Sequence, residues 1–451
     1  MPNRMTRSTR RTKRTIDSQS IPASRNGWSR RQFVSATIAG SVVGITPSCL
    51  GRTSDKPHRI LLRSSWQTVN IGDIAHTPGV LHLLEVHLPE AEVWLWPSKV
   101  DRGVREMLQK RFPRLRILEG KQDQEQALQE CNFLLHGSGP SLVAEKDIER
   151  WIRETSKPFG VYGITLPTPL PDRPASVGVT TDKTIDILGK ARFVFFRDSV
   201  SLAHAKQRGC KCPVMEFAPD GAFACDLRDD GKAALFLQTN HLEPKKFVCC
   251  IPRYRYTPYW RIHPERKLDP VKDQRNEEMK EHDHAPLREA ILKILDETDF
   301  KVLLCPEDQT QMAIAKEMLW DKLPERAKSR VVYRDEYWLT DEALSIYVQS
   351  SGLFGLEMHS PIMCIGNGIP AIVGRFAEQT SKGMMWRDIG LDEWLFDMDL
   401  PTDVVRYPQA VLAMVKEKTA SHSLVAKGRE TVLQRQRESM EILRKNLLNG
   451  G

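Results

Sequence analysis

From residue 59 onward, short apolar runs alternate with longer stretches in which apolar residues recur at helical spacing. The first series of runs is Arg59–Leu62, AEVWLW (91–96), LRIL (115–118), NFLLHG (132–137), FGVYGI (159–164) and RFVFF (192–196). Helix-like stretches separate them, ending near 88 and covering 101–112, 123–130, 144–155, 182–190 and 199–208. A second series begins at FVCCI (247–251) and continues through KVLLC (301–305), RVVYR (330–334), GLFGLE (352–357) and PAIVG (370–374). Its helix-like stretches are 286–296, 309–321, 341–349, 360–366, 403–418 and 422–447. In the last, Val425, Val432, Met440, Leu443 and Leu447 fall near one face. Short strands alternating with helices predict βαβ units and mostly parallel sheets.

The expectation is an α/β protein with two Rossmann-like domains facing a cleft. The domains are read at 57–225 and 247–420, with a linker at 226–246 and a C-terminal helix at 421–451. The polar insertion His263–His284 is read as an exposed loop.

Composition fits a globular chain: 40% of residues are hydrophobic and 27% charged. The net charge of +8 would suit a nucleic-acid partner, but its location removes that reading. Residues 1–31 hold nine Lys/Arg and one acidic residue, and 32–50 hold no charge. The body from 51 therefore carries 57 basic and 57 acidic residues. It has no excess charge to attract a phosphate backbone, so no nucleic acid is expected.

The leader, residues 1–50, contains Ser29-Arg30-Arg31-Gln32-Phe33-Val34, a twin-arginine pattern, and an uncharged stretch from Phe33 to Ile45. That stretch is too short to span a bilayer and suits a signal for export of a folded protein. The expected location is the periplasm or cell envelope, with no transmembrane segment in the mature chain. Thr46-Pro47-Ser48-Cys49 fits a lipoprotein box poorly. The other eight cysteines form no C-x-x-C pair, so no zinc or other metal site is expected. Cys210 and Cys212 are close enough in sequence to be oxidised after export.

In parallel α/β sheets, ligands bind beyond the carboxyl ends of the strands. The loops there are Asn70–Asp73, His136–Ser141, Arg197–Ser199, Arg253, Glu307-Asp308, Glu357–His359, and Arg375 with Lys382. Each has a plainer alternative. Asp73 suits a helix N-cap as well as a catalytic group. Arg197-Asp198-Ser199 suits capping plus an ion pair. The Gly-rich turn suits a tight turn as well as an anion cradle at a helix N-terminus. His359 suits a satisfied structural histidine. The run Arg253-Tyr254-Arg255-Tyr256 with Tyr259, Trp260 and Arg261 suits a grip on an anionic sugar or a solvated loop.

In this order the loops resemble the polysaccharide pyruvyl transferase family. Asn70–Asp73 is similar to its N-x-G-D loop, and Gly137–Ser141 to its Gly-rich loop. Arg197, Asp198 and Ser201 match R-D-x-x-S, and Pro219-Asp220 matches P-D. Arg253 and Lys382 match a strand-end arginine and a later lysine; Glu357-Met358-His359 with Gly368-Ile369-Pro370 resembles R-x-H followed by G-x-P. The resemblance implies two Rossmann-like domains in the GT-B glycosyltransferase arrangement. It also implies transfer of an enolpyruvyl group from phosphoenolpyruvate, or another anionic donor, to two hydroxyls of a polysaccharide acceptor. No cofactor is implied. Arg253 and Lys382 would clamp the donor, His359 would be the general acid, and Asp73 a base or sugar contact. Asn70, Gly137, Ser138, Gly139, Ser141 and Arg197 would belong to the substrate loops.

The chain departs from the family where the motif arginine is Glu357, which exchanges a positive charge for a negative one. Arg375 or Arg197 is expected to substitute if donor use is retained. The leader also directs the chain away from the cytoplasm, where phosphoenolpyruvate is found. An exported glycan-binding protein of the same fold is therefore a competing expectation, and a nucleotide-sugar glycosyltransferase a third. A Glu357–Arg253 pair filling the pocket would favour the binding protein. A second cation near His359 would favour the transferase.

Overall fold

The computed structural model describes residues 58–167 and 180–448. The leader, with Arg30, Arg31 and Cys49, lies outside them. The first sheet contains β1 (Arg59–Ser64), β2 (Glu92–Pro97), β3 (Arg116–Ile117), β4 (Phe133–His136), β5 (Phe159–Ile164), β6 (Val194–Phe196) and β7 (Met215–Phe217). Its order is β3-β2-β1-β4-β5-β6-β7, and every pairing is parallel. The second sheet contains β8 (Phe247–Ile251), β9 (Lys301–Leu304), β10 (Val331–Tyr333), β11 (Leu353–Gly355), β12 (Ala371–Arg375) and β13 (Leu395–Asp397). Its order, β10-β9-β8-β11-β12-β13, is also parallel throughout and repeats the pattern of the first. Helices cover both faces of such sheets, which is why β4, β5, β8 and β12 are buried at every position and read as unbroken apolar runs. In both sheets the chain reverses direction beside the first strand, β1 or β8. That is where a doubly wound sheet opens its crevice.

Three expectations need correction. The polar stretch 263–284 is largely helical: Pro270–Glu297 forms a 28-residue helix, started by Asp269, whose side chain accepts from Lys272 N at 3.2 Å. Its first half is polar because it is mostly solvent-facing, and its inward polar residues have partners: Asp283 holds Arg255. The strands β7 and β13 carry no clear signal, since each has three residues and sits at a sheet edge with an acidic residue in it. The segment between the sheets is not plain linker but contains the helix Asp230–Thr239. The eight cysteines among the described residues are buried free thiols, Cys210 and Cys212 included.

The final helix, Lys418–Leu448, buries Val425, Val432, Met440, Leu443 and Leu447. It returns to the first sheet, where Arg435 donates to Phe217 O at 2.6 Å and pairs with Glu216 at 2.7 Å. Among the described residues no helix is long and apolar enough to cross a membrane.

One contact sets the spacing of the site-bearing elements. The helix Ile71–His87 packs on the short turn Gly221–Ala224, which follows the Pro219-Asp220 motif. A Cβ at Gly79 would lie 1.9 Å from the carbonyl oxygen of Gly221. That neighbour is backbone and cannot swing away. Gly79→Ala should therefore destabilise the fold by about 1–3 kcal/mol, despite alanine's better helix propensity. A lower midpoint in urea unfolding with an unchanged slope would show it.

Candidate active site

The loops after β1 and β9 are stitched together across the crevice. Ile71 N donates to Glu307 O at 2.8 Å, Gln309 N donates to Val69 O at 3.1 Å, and Asn70 forms an isolated bridge with Asp308. Asn70, not Asp73, caps the helix Ile71–His87: its Oδ1 accepts from Gly72 N at 2.7 Å and Asp73 N at 3.0 Å. Asp73, in the first helical turn, is left to face a cavity of about 310 Å³. Arg197 lines the same cavity from the first sheet; Arg253, Glu357, His359 and Lys382 line it from the second. Arg253 and His359 reach it together because β8 and β11 are neighbours.

His359 opens the helix His359–Gly366 and is 5% exposed. Its Nδ1 lies 3.1 Å from Glu307 Oε1, and the other oxygen of Glu307 accepts from Ser360 N at 2.6 Å. A carboxylate oxygen accepts, so Nδ1 carries the hydrogen and Nε2 keeps its lone pair. Nε2 is buried without a hydrogen-bond partner. Burial, and then the positive charge of Lys382, pushes the imidazole well below the ordinary histidine range. The ring sits against the first domain: a Cβ at Gly72 would come within 2.3 Å of the His359 Cβ. That close approach is why the N-x-G-D loop needs glycine at its third position here.

Behind His359 runs a buried polar chain. The ring of His76 meets that of His359 edge-on, with centroids 4.8 Å apart. His76 Nδ1 is 2.8 Å from Asp220 Oδ1, and Asp220 Oδ2 accepts from Arg197 Nη1 at 2.6 Å. Arg197 Nε donates to Thr165 Oγ1 at 2.7 Å. Burial alone would raise the Asp220 carboxyl, but His76 and Arg197 outweigh it and hold it well below the carboxylate range. Asp198 caps the next helix through Ser201 N at 2.7 Å. The R-D-x-x-S segment thus works as an ion pair plus a cap, and its arginine still reaches the cavity.

Glu357 is 1% exposed. It accepts from Arg253 Nη1 at 2.6 Å and from Gln311 Nε2 at 2.6 Å. Burial raises its carboxyl and Arg253 opposes the shift. Lys382 stands beside this pair, its ammonium brought down to about 8 by burial and by Arg253. Asp308, next to Glu307, is pushed up to about 7 by burial, against its hydrogen bonds from Thr310.

Other expected site residues are used differently. Arg375 holds Asp397 at 2.5 Å because the β12–β13 register sets the two opposite each other, so it does not line the cavity. The Gly-rich turn is no free anion cradle: Gly137 N donates to Arg63 O and Gly139 N to Gly163 O. Ser138 Oγ accepts from Gly221 N at 2.8 Å, and the next helix begins only at Glu145. Pro140, rather than Ser141, lines the cavity. In the aromatic–arginine run, Arg255, Tyr256 and Tyr259 border the cavity, but the Arg255 side chain is buried in ion pairs with Asp283, Glu378 and Asp399.

His76 is absent from the strand-end loops that the sequence points to, and Glu307 stands in one of them without an assigned role. His76 had a visible signal, lying three residues after Asp73 on the same helix face. Glu307 had none beyond its place after a strand.

The family model for polysaccharide pyruvyl transferase matches residues 70–373, from the capping Asn70 into β12. The chain belongs to the polysaccharide pyruvyl transferase family. No curated protein is significantly similar to it in sequence. Among solved structures it resembles S. aureus MnaA in complex with UDP, at TM-score 0.52 and 11% identity, over 82% of this chain and 90% of that one. It also resembles Anabaena HepE in complex with UDP-glucose, at TM-score 0.51 and 9% identity, over 86% of this chain and 99% of that one. A third is a Listeria monocytogenes protein described as a putative UDP-N-acetylglucosamine 2-epimerase, at TM-score 0.51 and 11% identity, over 82% and 91%. These likenesses carry the fold: two Rossmann-like domains in the GT-B arrangement. Pyruvyl transferase membership and this fold together support a polysaccharide-modifying transferase.

Proposed function

We propose that the cleft transfers an enolpyruvyl group from phosphoenolpyruvate to two hydroxyls of an envelope polysaccharide. The observation that supports this is the meeting of Arg253, Lys382, His359 and Asp73, drawn from both sheets, around one cavity. Arg253 and Lys382 offer charge-assisted hydrogen bonds to the donor's phosphate and carboxylate. Those anions, once bound, raise the proton affinity of His359, whose Nδ1 is held by Glu307. Nε2 then gives its proton to the methylene carbon. The first acceptor hydroxyl adds to C2 as Asp73 takes its proton. The C–O bond to phosphate breaks, the second hydroxyl adds at the same carbon, and a cyclic ketal and phosphate result. Across the whole reaction one hydroxyl proton balances the new methyl group and the other leaves with phosphate.

Lys382 makes donor binding sensitive to pH. It is cationic below about 8 and neutral above. Phosphoenolpyruvate affinity, followed by calorimetry, should be level through neutral pH and fall about tenfold as pH rises past that point, for loss of one charge-assisted contact. Phosphate release that depends on a diol-bearing glycan would support transfer. Glycan binding with no phosphoenolpyruvate binding at any pH would overturn it in favour of the second reading.

That second reading is an exported glycan-binding protein without transferase activity. The Glu357–Arg253 pair favours it, since the pair neutralises one clamp cation. For location we propose the twin-arginine route to the periplasm or envelope, on the strength of Arg30-Arg31 abutting an uncharged run. A reporter carrying residues 1–55 should be exported, and the Arg30→Lys, Arg31→Lys double variant should not be.

A further inference from the structure

His76 and His359 share a feature that the transfer reading uses in His359 alone. Each imidazole has its Nδ1 against a buried carboxylate, Asp220 for His76 at 2.8 Å and Glu307 for His359 at 3.1 Å. Each therefore presents an Nε2 lone pair, and both Nε2 atoms are buried without a partner. His76 is 0% and His359 5% exposed. A buried acceptor left unsatisfied is destabilising, and here there are two, on rings whose centroids are 4.8 Å apart. Asp73 completes the group: one ligand atom from each of Asp73, His76 and His359 lies within 4.8 Å of the others.

We propose that Asp73, His76 and His359 bind a divalent transition-metal ion of the zinc class. A carboxylate behind each ligating histidine is the arrangement that fixes the tautomer and raises the basicity of a metal-binding imidazole. Two imidazoles and one carboxylate suit zinc and its neighbours rather than magnesium or calcium. Three protein ligands leave a further position open toward the cavity. Ligands at ~2.1 Å from a tetrahedral ion lie about 3.4 Å apart. The widest separation in the group must therefore contract by up to about 1.4 Å, and Asp73, the partly exposed member, has the freedom to move. The bound ion would return positive charge to a cleft in which Glu357 neutralises Arg253. It would also take the Nε2 lone pair that the transfer reading gives to a proton, so the metal-loaded state and the acid role of His359 exclude one another.

The cysteine-free ligand set explains why sequence spacing points to no metal. Asp73 and His76 are three residues apart, but His359 comes from the other sheet.

The test is titration of the purified, metal-stripped protein with Co²⁺, with neither donor nor acceptor present. Its visible d–d absorption reports nitrogen-rich, low-coordinate binding, and competition with Zn²⁺ reports affinity. The wild type should develop the band and lose it to zinc. His76→Gln and Asp73→Asn should each weaken cobalt binding at least tenfold. Should His76→Gln fail to fold, Asp73→Asn decides, since its melting temperature without metal is expected to match the wild type. No band in the wild type, or unchanged cobalt affinity in Asp73→Asn, overturns the proposal. Because no turnover is read, failure here leaves the transfer reading standing, and failure of transfer leaves the metal site standing.

Discussion

Glu357→Arg should melt well below the wild type in the absence of anions and recover in part when phosphoenolpyruvate is added. Glu357 is buried and holds both Arg253 and Gln311. Its removal leaves Arg253 unpaired, and the new arginine adds a second cation beside Lys382. Breaking a buried pair from one side costs about 3–5 kcal/mol. An anionic donor would then find three cations where the wild type offers one paired arginine and one lysine. Binding at about a hundredfold excess over the dissociation constant returns about 2.7 kcal/mol. Melting curves with and without phosphoenolpyruvate give both quantities. Glu357→Gln is the control: it removes the negative charge without adding a cation, so it should destabilise less and gain little donor affinity. If the wild type binds phosphoenolpyruvate clearly and Glu357→Arg binds no better, Glu357 is not what sets donor use. If Glu357→Arg instead weakens a neutral glycan and still ignores phosphoenolpyruvate, the glycan-binding reading gains.

Asp220→Ala should be the most destabilising single change in the buried chain behind the site. Asp220 is fully buried between His76 and Arg197, and Arg197 is 1% exposed. Without the carboxylate the guanidinium keeps only its bond to Thr165 and sits as an uncompensated charge. The expected loss is about 3–5 kcal/mol. Its pH dependence has a definite sign. The folded carboxyl is held below its unfolded value of about 4, so its contribution is complete above that pH and disappears as acid protonates the folded form. The gap in stability between wild type and Asp220→Ala should be level from neutral pH down to about 5 and shrink below about 4. A gap independent of pH would mean that packing, not charge, holds this position. Asp220→Ala should also loosen His76.

Much of the fold was legible because a strand buried on both faces must be apolar at consecutive positions. β5 and β8 were read residue for residue as FGVYGI and FVCCI. The three-residue edge strands β7 and β13 were not, since an edge needs little burial and leaves little pattern. The first half of the helix Pro270–Glu297 was hidden by its polar surface and by two prolines, one of which sits harmlessly in the first turn. At the site, the ordered motifs identified Asn70, Asp73, Arg197, Arg253, Glu357, His359 and Lys382, all of which line the cavity.

The amino-acid sequence by itself determined the α/β class, the doubling of the sheet, and the family through the order of its loop motifs. These depend on local periodicity and on short spacings, which a chain carries with it before it folds. The tertiary structure alone decided the partner of each charge. Arg375 went to Asp397 through strand register, Arg197 to Asp220 through the turn that packs on Gly79, and Arg253 to Glu357 through adjacent strand ends. It likewise decided that two histidines 283 positions apart, His76 and His359, would face each other with bare Nε2 atoms. Electrostatic and coordination energies depend on separations of a few ångströms in a medium of low polarity. Such separations are set by strand register and packing within each domain and, for the two histidines, by how the domains meet, and no local pattern of residues encodes them.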